Sequence, residues 1–112
     1  MSRFLATRNK GFRMTFENGF AISVQWGPEN YCNRKNEEDF DKPMKERFWE
    51  SKSAEIAVFN KEGEFIGIAD DAVVGWLTTD KVAKCITVVQ SATTKEEIET
   101  KLKALNISII HK

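Results

Sequence analysis

The feature that most restricts the fold of this sequence is a strict alternation of apolar and polar residues on both sides of an Asn-Gly pair. The alternation runs through residues 12–16 and again through 20–26, with Asn18 and Gly19 between the two runs. A period of two is typical of β-strands with one buried face, and Asn-Gly is a strong turn signal. The sequence therefore predicts a β-hairpin over about 12–26.

The length of this hairpin loop follows from the requirement that the large apolar side chains share one face. A two-residue loop would place the apolar residues of the two strands on opposite faces of the sheet. A three-residue loop, residues 17–19, puts them on the same face and leaves Gly19 in the left-handed position, where glycine is free of strain. This register predicts three apolar pairs, namely Phe16 with Phe20, Met14 with Ile22, and Phe12 with Val24.

The same reasoning predicts a second hairpin over about 55–68. Asn60 suits the start of a turn, and Gly63 suits the left-handed position that follows it. The predicted pairs are Val58 with Ile66, Ile56 with Ile68, and Phe59 with Phe65. Because apolar groups then lie on both faces, we expect this hairpin nearer to the centre of the sheet than the first.

Two helices are predicted after the hairpins, over about 79–91 and 94–105. The first carries an apolar stripe at helical spacing, and the second opens with the capping-box residues Thr94 and Glu97. Trp76, just before the first helix, is expected to pack that helix onto the sheet. The predicted fold class is α+β, with an antiparallel sheet built from the two hairpins, both helices packed on one face, and a short final strand near 107–110.

Length and composition limit the function classes. With 112 residues, the chain is expected to form a single domain, 1–112. Its 17 basic and 17 acidic residues leave no net charge, which argues against binding driven only by phosphate neutralisation. The N-terminal residues lack the apolar core of a secretion signal, no apolar run is long enough to span a membrane, and two cysteines suit a reducing compartment. We therefore expect a cytoplasmic protein.

The segment 27–53 lacks the periodicity of a helix or a strand and is predicted to be a long polar and aromatic loop inside the domain. Loops of this length in compact domains are usually functional or disordered. Aromatic residues beside basic ones can anchor a protein partner or stack on nucleic-acid bases. The candidate binding residues are Tyr31, Arg34, Lys35, Arg47, Phe48 and Trp49. An alternative for Phe48 and Trp49 is that they close the hydrophobic core.

The residue types that carry catalysis or metal binding do not form a recognisable pattern. The single histidine, His111, is next to last in the chain, where it is expected to be frayed and solvated. Cys32 and Cys85 lack the short-spaced partners that zinc needs, and Cys85 is expected in the core. The acidic clusters at 37–41 and 70–71 are interpreted as solvated loops. We therefore expect no enzyme, no metal and no cofactor.

Two neighbouring segments, GFRMTFENGF at 11–20 and SVQWGPENYC at 23–32, stand out as a pattern, and AEIAVF at 54–59 and Gly75-Trp76 are similar in style. In these residues the sequence resembles small uncharacterised accessory proteins of tailed bacteriophages. No defined activity and no catalytic residues come with this resemblance. It implies a phage accessory protein that acts in the cytoplasm of a bacterial host, where small phage proteins often antagonise host defence.

The leading hypothesis is a non-catalytic binding protein that inhibits a host defence system by binding a protein effector. One alternative is an oligomeric sponge that sequesters a small nucleotide signal, and a second is a nucleic-acid-binding protein. The expected partner is thus a host protein or a small nucleotide ligand, not a membrane, and the sequence is compatible with a homo-oligomer.

Overall fold

The computed structural model describes residues 2–7, 10–26, 50–66, 72–105 and 109–111. Within these ranges the strands are β1 (Arg3–Ala6), β2 (Gly11–Thr15), β3 (Ala21–Gln25), β4 (Ala54–Phe59), β5 (Phe65–Ile66), β6 (Ala72–Leu77) and β7 (Ile109–His111). The helices are α1 (Thr79–Ser91) and α2 (Lys95–Ala104). The strands form one antiparallel sheet in the order β1-β2-β3-β4-β6-β7, and β5 pairs with β4 beside β6.

The hydrophobic core lies between one face of this sheet and the two helices. Its most buried side chains include Ile22 and Ile56 from the sheet, Val89 from α1, and Ile98 and Leu102 from α2. The α+β class, the two hairpins and the helices packed on one face are therefore confirmed.

The first hairpin has the predicted three-residue loop. Phe12 pairs with Val24 and Met14 pairs with Ile22. The N–H of Phe16 donates to the carbonyl of Phe20 at 2.9 Å, which extends the same register to the loop. Gly19 has a φ of 92°, the left-handed conformation for which glycine was expected.

The second hairpin agrees with the prediction near its loop and departs from it farther away. Phe59 pairs with Phe65 and Val58 pairs with Ile66, as expected. The predicted pairing of Ile56 with Ile68 is wrong, because Ile56 pairs with Val74 of β6 and Ile68 lies outside the described residues. One edge of β4 pairs with β5 and then with β6, and the other edge pairs with β3. This arrangement explains why β4 is central in the sheet and why it has apolar groups on both faces.

Strand β6 contains a β-bulge that reverses the expectation for Trp76. Leu77 pairs with Ala54 and Val74 pairs with Ile56, so Gly75 and Trp76 lie opposite the single residue between those partners. Trp76 has a φ of 52°, which is uncommon for a residue other than glycine, and it is 48% exposed. Trp76 therefore does not pack the helix onto the sheet. Leu77, at 4% exposure, belongs to the core cluster that joins α1 to the sheet.

Both helices begin at the predicted caps. The hydroxyl of Thr78 accepts from the N–H of Lys81 at 3.3 Å, and that of Thr94 accepts from the N–H of Glu97 at 3.2 Å. Glu97 accepts hydrogen bonds from the backbone N–H and the hydroxyl of Thr93 instead of from the backbone N–H of Thr94. The reciprocal hydrogen bond of this capping box is therefore made one residue before the cap residue. Hydrogen bonds from Lys101 and Thr93 lower the pKa of Glu97 to about 2.

Asn18 connects the first hairpin loop to the end of α1. Its side-chain Nδ2 donates to the carbonyl oxygens of Val89 at 2.9 Å, Gln90 at 3.1 Å and Ala92 at 2.9 Å. Its Oδ1 accepts from the N–H of Phe20 at 3.0 Å, inside its own hairpin. Since the last carbonyls of a helix have no partner within the helix, Asn18 serves as a cap supplied from about seventy residues away.

The final strand is present and extends past its predicted end. Strand β7 pairs with β6, with Ile109 opposite Val74 and His111 opposite Ala72. The expectation that His111 is a frayed residue is therefore wrong for its backbone, because the ladder with β6 continues to that position.

Candidate functional site

A cavity of about 380 Å³ lies between the first half of α1 and the adjoining part of the sheet. Its lining includes the sheet-side residues Phe12, Val24, Trp26, Ala54 and Leu77, the helix residues Thr79, Val82, Ala83 and Ile86, and the segment Glu50–Ser53. We call it the helix–sheet cavity. Its volume is within the roughly 300–1,000 Å³ range of pockets that bind ligands.

The sheet side of the cavity is built by the paired ends of β2 and β3. Phe12 and Trp26 meet edge to face, with ring centroids 6.4 Å apart and an interplanar angle of 73°. The N–H of Trp26 donates to the carbonyl of Lys10 at 2.8 Å and holds the chain beyond β3 in line with the sheet. A Cβ on Gly11 would overlap the carbonyl oxygen of Val24, so the close approach of the two strands here requires glycine.

The helix side of the cavity combines residues from one stripe of α1. Val82 is buried and Ile86 is half-buried, whereas Ala83 and Thr79 are exposed. Ala83 contributes only a methyl group to the cavity wall. The stripe was predicted to face the core, but its N-terminal part also forms the wall of an open site.

The charge around the cavity is balanced. Among the described lining residues, the charged ones are Glu50 and Lys52, which have opposite signs. The other polar side chains of the lining are the hydroxyls of Ser51, Ser53 and Thr79. Most of the described wall is therefore hydrocarbon, which suits an apolar group better than a phosphate.

The cavity adjoins the segment that the sequence singles out as functional. Trp26 is the last described residue before 27–49 and Glu50 is the first after it, and both line the cavity. The predicted site residues Tyr31, Arg34, Lys35, Arg47, Phe48 and Trp49 lie outside the described residues, as does Cys32. Their role in binding stays a prediction, but the two flanks of their segment meet at one site.

The opposite face of the sheet carries a second group of aromatic side chains. The guanidinium carbon of Arg13 lies 4.2 Å from the ring centroid of Phe59, and the rings of Phe59 and Phe65 are 4.9 Å apart. The Nε of Arg13 is buried and has no hydrogen-bond partner. The guanidinium of Arg13 thus makes a cation–π contact with Phe59 on this face of the sheet. Arg13, Phe59 and Phe65 are better explained as cross-strand packing than as a binding site.

Cys85 is a buried core residue, as predicted. Burial raises the pKa of its thiol to about 11, and the nearby charge of Lys81 opposes this shift only in part. Because the thiolate is the nucleophilic form, Cys85 is kept in its unreactive form at neutral pH.

The described residues contain no group of three or more His, Cys, Asp or Glu side chains arranged to hold a metal ion. No helix among them has the length and the apolar character that crossing a membrane requires.

No protein-family model, curated protein or solved structure matches this chain. Function is therefore inferred from the geometry of the helix–sheet cavity and from the sequence.

Proposed function

We propose that this protein acts by binding another protein, without catalysing a reaction, and that the helix–sheet cavity receives an apolar side chain of that partner. The observation that carries the proposal is the largely apolar wall of a cavity of about 380 Å³ bordered by both flanks of 27–49. Burial of one large apolar side chain contributes about 1.5–3 kcal/mol, which is the scale of an interface hot spot.

The chemistry of the wall favours a protein partner over a nucleotide. A phosphate group needs a surplus of positive charge or a concave row of backbone N–H groups. Lys52 is offset by Glu50, and the aromatic and aliphatic residues around them add no positive charge. The zero net charge of the whole chain points the same way.

The sequence supplies the setting for this proposal. The resemblance to phage accessory proteins supports action in the cytoplasm of a bacterial host, as an inhibitor of a host defence system that binds a protein effector. In this proposal Tyr31, Arg34, Lys35, Arg47, Phe48 and Trp49 contribute the surrounding contacts, because Tyr, Trp and Arg are enriched at interface hot spots.

The experiment is to fill the cavity from its exposed side. Ala83→Phe adds an aromatic ring at the cavity wall and removes no buried group, since Ala83 is exposed. Gln90→Phe is the matched control, because Gln90 is an exposed residue of the same helix that does not line the cavity. Tagged wild-type protein and both variants are expressed in infected host cells, and the captured proteins are quantified.

We expect a host protein that is captured by the wild type and by Gln90→Phe, and whose recovery falls at least ~10-fold with Ala83→Phe. All three proteins should have similar thermal melts, since exposed substitutions usually change stability by about 0.5 kcal/mol or less. Equal capture by Ala83→Phe would contradict the cavity as the binding site. A nucleotide released from the denatured wild type, or a complex that weakens steeply with salt, would favour the sponge or the nucleic-acid binder instead.

A further inference from the structure

Strand β1 is an edge strand that leaves large apolar side chains in water. It is at one end of the strand order, and all four of its residues are exposed. Phe4 is 78% exposed and Leu5 is 46% exposed, and they point to opposite faces of the sheet. Edge strands are usually protected by charged side chains, proline or a bulge. In β1 the first residue, Arg3, is charged, and Phe4, Leu5 and Ala6 after it are apolar and contain neither proline nor a bulge.

The backbone of β1 presents its unused hydrogen-bonding groups at two defined positions. The N–H of Thr7 donates to the carbonyl of Gly11 at 3.1 Å, toward β2. In an antiparallel pair, successive residues direct their N–H and C=O groups alternately to the two sides of the strand. Leu5 and Arg3 therefore bond to β2 like Thr7, and the N–H and C=O groups of Phe4 and Ala6 point outward.

We propose that β1 pairs with β1 of a second copy of this chain, antiparallel and about a two-fold axis at Leu5. In this register Phe4 exchanges backbone hydrogen bonds with Ala6 of the second copy, and Ala6 does so with Phe4 of the second copy. Leu5 lies opposite Leu5 across the axis. The result is a sheet that continues from one protomer into the other.

The side chains of β1 explain why a second copy fits this edge. When Phe4-Leu5-Ala6 of one copy pairs antiparallel with the same segment of the second copy, Phe4 lies opposite Ala6 at both ends and the two Leu5 side chains meet at the centre. The single charge of the strand, Arg3, then lies opposite Thr7 of the second copy, and the two arginines are at opposite ends of the interface. A register centred on Phe4 would instead place Arg3 against Leu5, which leaves the guanidinium beside an apolar group.

The size of the interface sets its strength. About five residues a side bury much less than the roughly 1,600 Å² of a standard-size interface, so the dimer should be weak and concentration-dependent. We expect a dissociation constant on the order of 100 µM. The cavity lining includes Phe12 of β2, which pairs with Ala6 of β1, so the two sites are neighbours in the sheet. The proposed interface uses the outward edge of β1 and does not depend on the function proposed above.

The test is sedimentation of the full chain at concentrations from about 10 µM to about 1 mM. The wild type should rise from 12.8 kDa toward twice that mass. Phe4→Lys removes the apolar contact, and Ala6→Pro removes an outward N–H without breaking the ladder to β2. Each variant should raise the dissociation constant at least ~10-fold, whereas Phe65→Lys, which removes another exposed aromatic residue, should not change it.

Amide hydrogen exchange of the wild type provides a second measurement that needs no variant. The N–H groups of Phe4 and Ala6 should exchange more slowly at the higher concentration, and that of Leu5, already bonded within the sheet, should not change. A wild type that stays monomeric at about 1 mM, or a dimer that persists in both β1 variants, would overturn the proposal.

Discussion

At the scale of single residues, Asn18 shows how much of this fold depends on one side chain. Its amide serves as a turn residue in the first hairpin and as the cap of α1 at the same time. Local pattern predicts only the first role, because the turn is made by adjacent residues. The cap joins residues 71 to 74 positions apart and exists only when the helix is packed on the sheet.

Substitution of Asn18 separates these two roles. Asp keeps the oxygen that accepts from Phe20 but brings a negative charge to the carbonyls at the C-terminal end of α1, where the helix dipole is also negative. We expect Asn18→Ala to lower the free energy of unfolding by about 1–2 kcal/mol, and Asn18→Asp to lower it further at neutral pH. Urea unfolding measures both. A variant with Asp that is as stable as the wild type would show that the cap contributes nothing.

At the scale of elements, the hairpins could be predicted and strands β1 and β6 could not. The first hairpin has one buried face, so its period of two fixed the register through Phe12, Met14 and Phe16. Strand β1 is exposed on both faces and therefore has no such alternation. In β6 the bulge at Gly75 and Trp76 interrupts the period. The predicted pairing of Ile56 with Ile68 is wrong for a different reason, because β6 and not a continuation of β5 lies beside Ile56.

The loop of the first hairpin gives a prediction at this scale. Gly19→Val should lower the free energy of unfolding by more than ~1 kcal/mol, because a β-branched residue is strained at a φ of 92°. Gly19→Asn is the matched variant, since asparagine tolerates the left-handed region better. A Cβ in either variant meets the side chain of Lys61, so the difference between them isolates the backbone conformation. Equal losses in thermal melts would refute the conformational explanation.

At the scale of the whole molecule, the helix–sheet cavity is assembled from parts distant in sequence. Phe12, Trp26, Glu50 and Ala83 come together only after the sheet has formed and α1 has packed on it. Sequence patterns predict β2, β3, β4 and α1 but not the cavity between them, because its volume depends on how side chains of different elements fit together. The flanks of 27–49 border the cavity, and the part that the aromatic and basic residues of 27–53 play in binding stays a prediction.

Site-specific photocrosslinking tests the central claim most directly, because it reports what touches the cavity inside the cell. A photoreactive lysine analogue is placed at Lys52, an exposed residue of the cavity lining, and in a second protein at Lys95, an exposed residue of α2 that does not line the cavity. After irradiation of infected host cells, we predict a discrete adduct with one host protein from position 52 and none from position 95. No protein adduct from position 52, or the same adducts from both positions, would contradict binding through this cavity.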